Sequence, residues 1–192
     1  MAGQFYVKRL KGMLDPEKFE HSLGVRDTAV RLARINGVDE ERAALAGLLH
    51  DCARCLPEDR ILEMAGRFAI PHTEVEMALP VLLHAPLGAE LARREFGVSD
   101  QAVLRAISVH TLGDADMAML DKVVFVADKA EPGRRFSGVE EIRRKMCADL
   151  DRALLACYDL SIGFALQNGA PVHPTMIEAR NRLVLSGPGR KF

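Results

Sequence analysis

Apolar positions return every three or four residues along nearly the whole chain, which is the period of an α-helix. Phe19, Leu23, Val30, Leu32 and Ala33 mark the first such stripe. Asp15-Pro16 opens it, with Asp as N-cap and Pro at the first helical position, and Gly37 stops it. A second helix starts near Asp39 and carries Ala43, Ala44, Gly47, Leu48 and then the pair His50-Asp51. A third, short helix covers residues 57–68. Residues 71–97 read as helical but broken at Pro80 and Pro86, which puts His84 at a bend. Ser99 is expected to cap the next helix, with Val98 and Val103 as a hydrophobic staple, and that helix ends at His110-Thr111-Leu112-Gly113.

The segment MAMLDKVVFVADKAEPG, residues 117–133, is apolar on most sides, and Asp116 can cap it. A helix apolar nearly all round belongs at the centre of a domain. Its VVFVA has the β-branched content of a strand but sits within a longer helical pattern and has no partner strand. Residues 139–168 predict one long amphipathic helix, and His173-Pro174 opens a last one. Residues 186–192 carry no periodic signal and are expected to form a mobile tail. The expected architecture is therefore a single all-α domain over residues 1–185, without repeats or linkers.

Composition narrows the partners. With 26 basic and 27 acidic residues the formal charge is -1, so no basic surplus points to nucleic acid. The chain has no Trp and only two Tyr, which argues against a base-stacking platform for single strands. No apolar run approaches the roughly 20 residues of a membrane span, and no apolar core follows the basic residues near the N-terminus. A soluble, cytoplasmic protein with a small-molecule partner is expected; the oligomeric state is left open. Cys52 and Cys55 form a C-x-x-C, but no second close pair exists to complete a zinc ribbon. They read as two small buried residues on one helix face. Met64, Met77, Met117 and Met119 read as core filler and His72 as a surface residue.

The chemistry sits in histidines and carboxylates flanked by apolar residues. His21, His50, His84 and His110 lie beside apolar positions, as do Asp51 and Asp128. One histidine on an apolar face is usually ordinary core. A carboxylate in a central helix is costlier, because it needs a cation or several donors. Facing helices of a bundle build metal sites from such inward side chains. Nitrogen and carboxylate ligands without thiolate suit iron, manganese or zinc in a hydrolytic site.

These residues also resemble a family. The order H…HD…D, here His21, His50-Asp51 and Asp128, is similar to that of the HD-domain phosphohydrolases. The block HTLGDADMAMLDKVVFVADKAEPGR at 110–134, with HSLGV at 21–25 and LLHAPLGA at 82–89, more closely resembles the bacterial YqeK group of symmetrical diadenosine tetraphosphate hydrolases. The resemblance spans roughly residues 5–181 and implies an HD-domain helical bundle with a metal site in its core. It implies that His21, His50, Asp51 and Asp128 hold a metal, with iron favoured over manganese or zinc. One ion is expected, with His84 and His110 either binding a second or meeting the substrate phosphates. Asp51, His84 and His110 would be catalytic, and Thr111, Arg134, His173, Pro174 and Thr175 would join the two histidines in binding a dinucleoside polyphosphate. The reaction implied is hydrolysis of diadenosine tetraphosphate to two ADP. Lys122 and Lys129 lie two helical turns apart, Lys122 on a solvated face, and Arg134 could instead pair with Glu131 or Glu140. Two departures from the family pattern, Arg54 for Lys and Leu112 for Thr, bear on phosphate contacts. Another HD-type nucleotide phosphohydrolase or phosphodiesterase, a di-iron oxygenase on the same scaffold and a non-catalytic nucleotide-binding module are the rival readings.

Overall fold

Eleven helices and one 3₁₀ turn make up the regular structure of residues 2–186, the part of the chain that the computed structural model describes. In order they are α1 (Ala2–Lys11), α2 (Pro16–Asn36), α3 (Glu40–Leu49), α4 (Glu58–Arg67), α5 (Glu74–Ala78), the 3₁₀ turn Pro80–Leu83, α6 (His84–Phe96), α7 (Gln101–Val109), α8 (Met119–Ala130), α9 (Val139–Met146), α10 (Leu150–Gln167) and α11 (Pro174–Ser186). No strand occurs among the described residues. The expected tail lies outside them beyond Ser186, which itself ends α11.

Local signals set most boundaries. Asp15 caps α2 by accepting from the Lys18 amide, and Gly37 closes it at φ 68°, where a side chain would be strained. Asp39 caps α3 in the same way. Elsewhere the chain corrects the reading of its sequence. Helix α1 carries no N-terminal signal and was not anticipated. The cap of α7 is Asp100, one residue after Ser99, because its carboxylate reaches the amides of Ala102 and Val103. The cap of α8 is Ala118, not Asp116: Asp121 reaches back to the Ala118 amide and is held by Arg105. The long helix expected over 139–168 is two helices, because Asp149 leaves helical geometry (ψ 102°) to cap α10. Pro86 does not break α6; it sits in the first turn, where its missing N–H has no helical partner to lose.

Helix α8 is the centre. Val123, Val124, Phe125, Val126 and Ala127 are all fully buried. Five consecutive buried positions exceed one turn, so neighbours surround the helix: α2, α3 and α7 pack on it, as do α9 and α10. Phe125 meets Tyr158 of α10 at a ring separation of 5.1 Å. The loop after α7 turns at Gly113, φ 75°, and there a β-carbon would fall within 1.8 Å of the Tyr158 hydroxyl. Both the backbone and the packing exclude any other residue. This turn fixes how α7 delivers its last residues against α8.

The sulfur-bearing residues divide between core and surface. Cys52 is buried, donates its thiol to the Gly88 carbonyl, and is pushed up to about 12 by burial, so it is inert near neutrality. Cys55 is exposed rather than buried beside it. Met64 and Met117 pack on the core, whereas Met77 and Met119 are exposed. His72 is exposed, as expected.

Phe125→Ala should lower unfolding free energy by about 3–5 kcal/mol, the usual cost of emptying a buried aromatic site. Urea denaturation checks it; a loss under 1 kcal/mol would mean that α8 is not the packing centre.

Candidate metal centre

Three histidines occupy equivalent positions at the ends of three elements. His50 follows α3, His110 follows α7, and His84 follows the 3₁₀ turn. A helix end leaves carbonyls without intrahelical partners. Each imidazole satisfies the carbonyl three residues before it: His50 Nδ1 donates to Gly47 O at 2.8 Å, His84 Nδ1 to Val81 O at 2.5 Å, and His110 Nδ1 to Ile107 O at 2.7 Å. A carbonyl can only accept, so Nδ1 carries the proton and Nε2 is left with a lone pair. His50 and Asp51 thus do not lie within α3, as the periodicity suggested, but at its end and in the turn beyond.

The free nitrogens converge. His84 Nε2 and His110 Nε2 are 3.1 Å apart, and Asp51 Oδ1 lies 3.1 Å from the first and 3.5 Å from the second. His50 Nε2 is 3.6 Å from Asp51 Oδ2 and 3.8 Å from Asp128 Oδ1. It is fully buried and has no hydrogen-bond partner. Lone pairs facing lone pairs at these distances repel unless positive charge sits between them. Two groups could supply a cation's ligands among the described residues: His21, His50 and Asp51, and Asp51, His84 and His110. They share Asp51. The donor set therefore fits a metal, and it holds nitrogen and carboxylate oxygen without thiolate.

Electrostatics favour the ligand protonation state at His50, His84, Asp51 and Asp128, and oppose it at His21. Burial pushes His50 down to about 4 and also lowers His84, so both rings stay neutral near pH 7. Burial disfavours the charge of Asp51, yet its carboxyl stays well below the usual carboxylate range. Asp128 is likewise held low against its burial by Lys129, His21 and Arg134. For His21, burial opposes protonation, but Asp128 and Glu131 draw its pKa upward.

The α8 side of the site is braced by a residue that sequence reasoning placed elsewhere. Glu131, offered only as a partner for Arg134, is buried and accepts from His21 Nδ1 at 3.1 Å, which turns His21 Nε2 to Asp128 Oδ1 at 3.0 Å. A β-carbon on Gly24 would come within 2.7 Å of the Glu131 carboxylate. The glycine of HSLGV makes that room. Arg134 pairs with neither Glu131 nor Glu140. Its Nε donates to the Asp128 carbonyl at 2.8 Å, and its terminal nitrogen to the Asp128 carboxylate. Lys122 is largely covered and paired with Asp151 at 2.7 Å, away from Lys129.

His21, Asp51, His84, His110, Thr111, Asp128 and Arg134 line one open cavity of about 390 Å³, with Glu17, Lys18, Arg54 and Lys129 around it. Arg54, which stands where the family carries Lys, does line the cavity; Lys18 has no such signal in the sequence, and only the folding of α2 against the turn after α3 brings it to the same mouth. The Thr111 hydroxyl lies 3.2 Å from both His84 Nε2 and His110 Nε2. His173, Pro174 and Thr175 do not line this cavity. His173 Nδ1 accepts from the Thr175 amide, which leaves Nε2 to face buried Glu76 at 3.1 Å, while Pro174 lines a separate shallow groove. Leu112 is not among the lining residues.

Comparison with known proteins agrees with this geometry. A family model described as HD domain matches residues 19–133. A protein of Halalkalibacterium halodurans named bis(5'-nucleosyl)-tetraphosphatase, symmetrical, is 35% identical, covering 93% of this chain and 95% of that protein. One of the same name from Bacillus subtilis is 37% identical over 91% of this chain and 94% of its own length. A crystal structure from Clostridium acetobutylicum, described as a predicted HD superfamily hydrolase involved in NAD metabolism, superposes with a TM-score of 0.93 at 40% identity, covering 96% of this chain and 97% of that one. With the family match spanning more than half its length and the ligand-type residues folded into one cavity, this chain belongs to the HD-domain family, in its YqeK-type branch.

Proposed function

We propose that this protein is a metal-dependent hydrolase that cuts diadenosine tetraphosphate symmetrically into two ADP. One observation carries the reading: two His/Asp triads joined at Asp51 open into a cavity whose rim holds Lys18, Arg54, Lys129 and Arg134. Such a rim suits a polyanion, and the relatives that share this chain over nearly its full length are named for this reaction. In the reaction a water oxygen bonds to one of the two central phosphorus atoms. The central anhydride P–O bond breaks, and the second ADP leaves with the bridging oxygen.

His21, His50, Asp51 and Asp128 would hold one divalent cation, and Asp51, His84 and His110 a second, with the Asp51 carboxylate shared. Two triads favour two ions over the single ion expected from sequence. Iron suits the ligands, as do manganese and zinc. A cation there supplies Lewis-acid polarisation of a phosphoryl oxygen and lowers the pKa of its water. The remaining work belongs to side chains. Asp51 would orient the attacking water, whose proton is lost to solvent. Thr111 can donate to a phosphoryl oxygen from between His84 and His110. Lys129 and Arg134 offset the charge that grows on the leaving ADP, a contribution that acts chiefly in the transition state. Arg134 does so while gripping the Asp128 backbone, so it also sets where Asp128 points.

Three outcomes are expected. Early time points on diadenosine tetraphosphate, resolved by chromatography, should contain ADP alone; ATP with AMP would mean an asymmetrical cut. Asp51→Ala should strip nearly all bound metal and activity while circular dichroism keeps its helical signal, and an active variant would end the metal assignment. His84→Ala should lose about half the metal measured by mass spectrometry of the purified protein. Unchanged metal content in that variant would assign His84 to substrate instead.

A further inference from the structure

A second cavity adjoins the metal centre. It is a groove of about 720 Å³ between the loop after α8 and the face of α10, floored by Ile142, Cys157 and Leu160. Lys129 and Arg134, both paired with Asp128, line it and the metal cavity alike, so the two lie side by side. Phe136 stands on one wall and Phe164 on the other. The chain has only eight Phe, two Tyr and no Trp, yet Phe164 is 69% exposed and Phe136 37% exposed. Leaving aromatic rings in water forfeits burial, so exposed rings flanking one groove suggest a ligand with a flat face. Gln167 at the rim offers a paired amide donor and acceptor, the combination that matches an adenine edge.

We propose that this aromatic groove binds one nucleoside of the substrate, its base stacked on Phe164 and Phe136, while the phosphates attached to it run past Lys129 and Arg134 into the metal cavity. The assignment rests on the reaction given above. A substrate with a nucleoside at each end, cut at its centre, places a base two phosphates away on either side of the metals. An apolar groove bordering the metal cavity at two basic side chains has the chemistry for one of those halves. Phe164 and Phe136 then set specificity: they select a dinucleoside polyphosphate over an inorganic polyphosphate chain of similar charge.

The absence of tryptophan supplies the test. In Phe164→Trp the introduced indole is the sole tryptophan fluorophore. The metal-loaded protein is titrated with diadenosine tetraphosphate carrying a methylene in place of the central bridging oxygen, which cannot be cut there. That analogue should quench the indole, and inorganic tripolyphosphate should not. In Phe164→Ala, calorimetry should show affinity for the analogue falling about 5- to 150-fold, the range for loss of one base–aromatic stack, with tripolyphosphate affinity within twofold. Equal quenching by both ligands, no quenching by either, or unchanged analogue affinity in Phe164→Ala would overturn the assignment. So would a wild-type dimer in sedimentation that Phe164→Ala dissociates, since the groove would then be covered by a second copy. If the wild-type enzyme releases ATP and AMP, the symmetrical reaction fails, but these binding measurements still decide the groove.

Discussion

Everything at this site depends on three backbone carbonyls. Gly47, Val81 and Ile107 each present an oxygen at the end of a helical element, and each takes the Nδ1 proton of the histidine three residues on. The same bond does two jobs. It gives each carbonyl a side-chain donor, at Val81 in addition to the His84 amide, and it fixes the tautomer, so that Nε2 points inward with its lone pair free. The C-terminal ends of α3 and α7 also carry partial negative charge, which favours a cation where they meet. Helix termination and ligand orientation are thus one event. A shift in where α3 or α7 stops would turn the ring as well as move it.

The surrounding packing keeps those ends in place. Buried on all sides, α8 anchors α2, α3 and α7 around itself and contributes Asp128 from the same turn of helix as its most buried residues. Rigid elements hold a ligand set better than loops do. On the same side, Glu131 and Gly24 lock His21 by hydrogen bond and by close fit. The more open flank, where Lys129 and Arg134 sit, is where a long and flexible substrate would pass.

Much of this was legible in the chain. Asp15-Pro16 and Gly37 mark α2 because capping and left-handed geometry are local, and a carboxylate amid VVFVA has few explanations other than a site. Features built by distant partners were not legible. The break between α9 and α10 falls at Cys147-Ala148-Asp149, without Gly or Pro, and only the cap made by Asp149 reveals it. Helix α1 has no acidic first turn and owes its order to packing on the bundle, with Leu10 fully buried. The role of Glu131 depends on its meeting His21, more than a hundred residues earlier. His173 reads as a nucleotide contact by resemblance, but in the fold it faces Glu76, a contact that no spacing rule could suggest.

The ligand-type residues come from five segments spread between His21 and Asp128, just over half the length of the chain. Cations held by these residues would close several long loops at once, as a set of covalent cross-links would. The unfolded chain loses that binding entirely, so the free energy of metal capture is also free energy of folding. Supply of such an ion would then govern more than turnover. If an ion is held there, scarcity of it would leave a larger fraction of molecules unfolded and open to proteases, so the lifetime of the protein would follow metal availability.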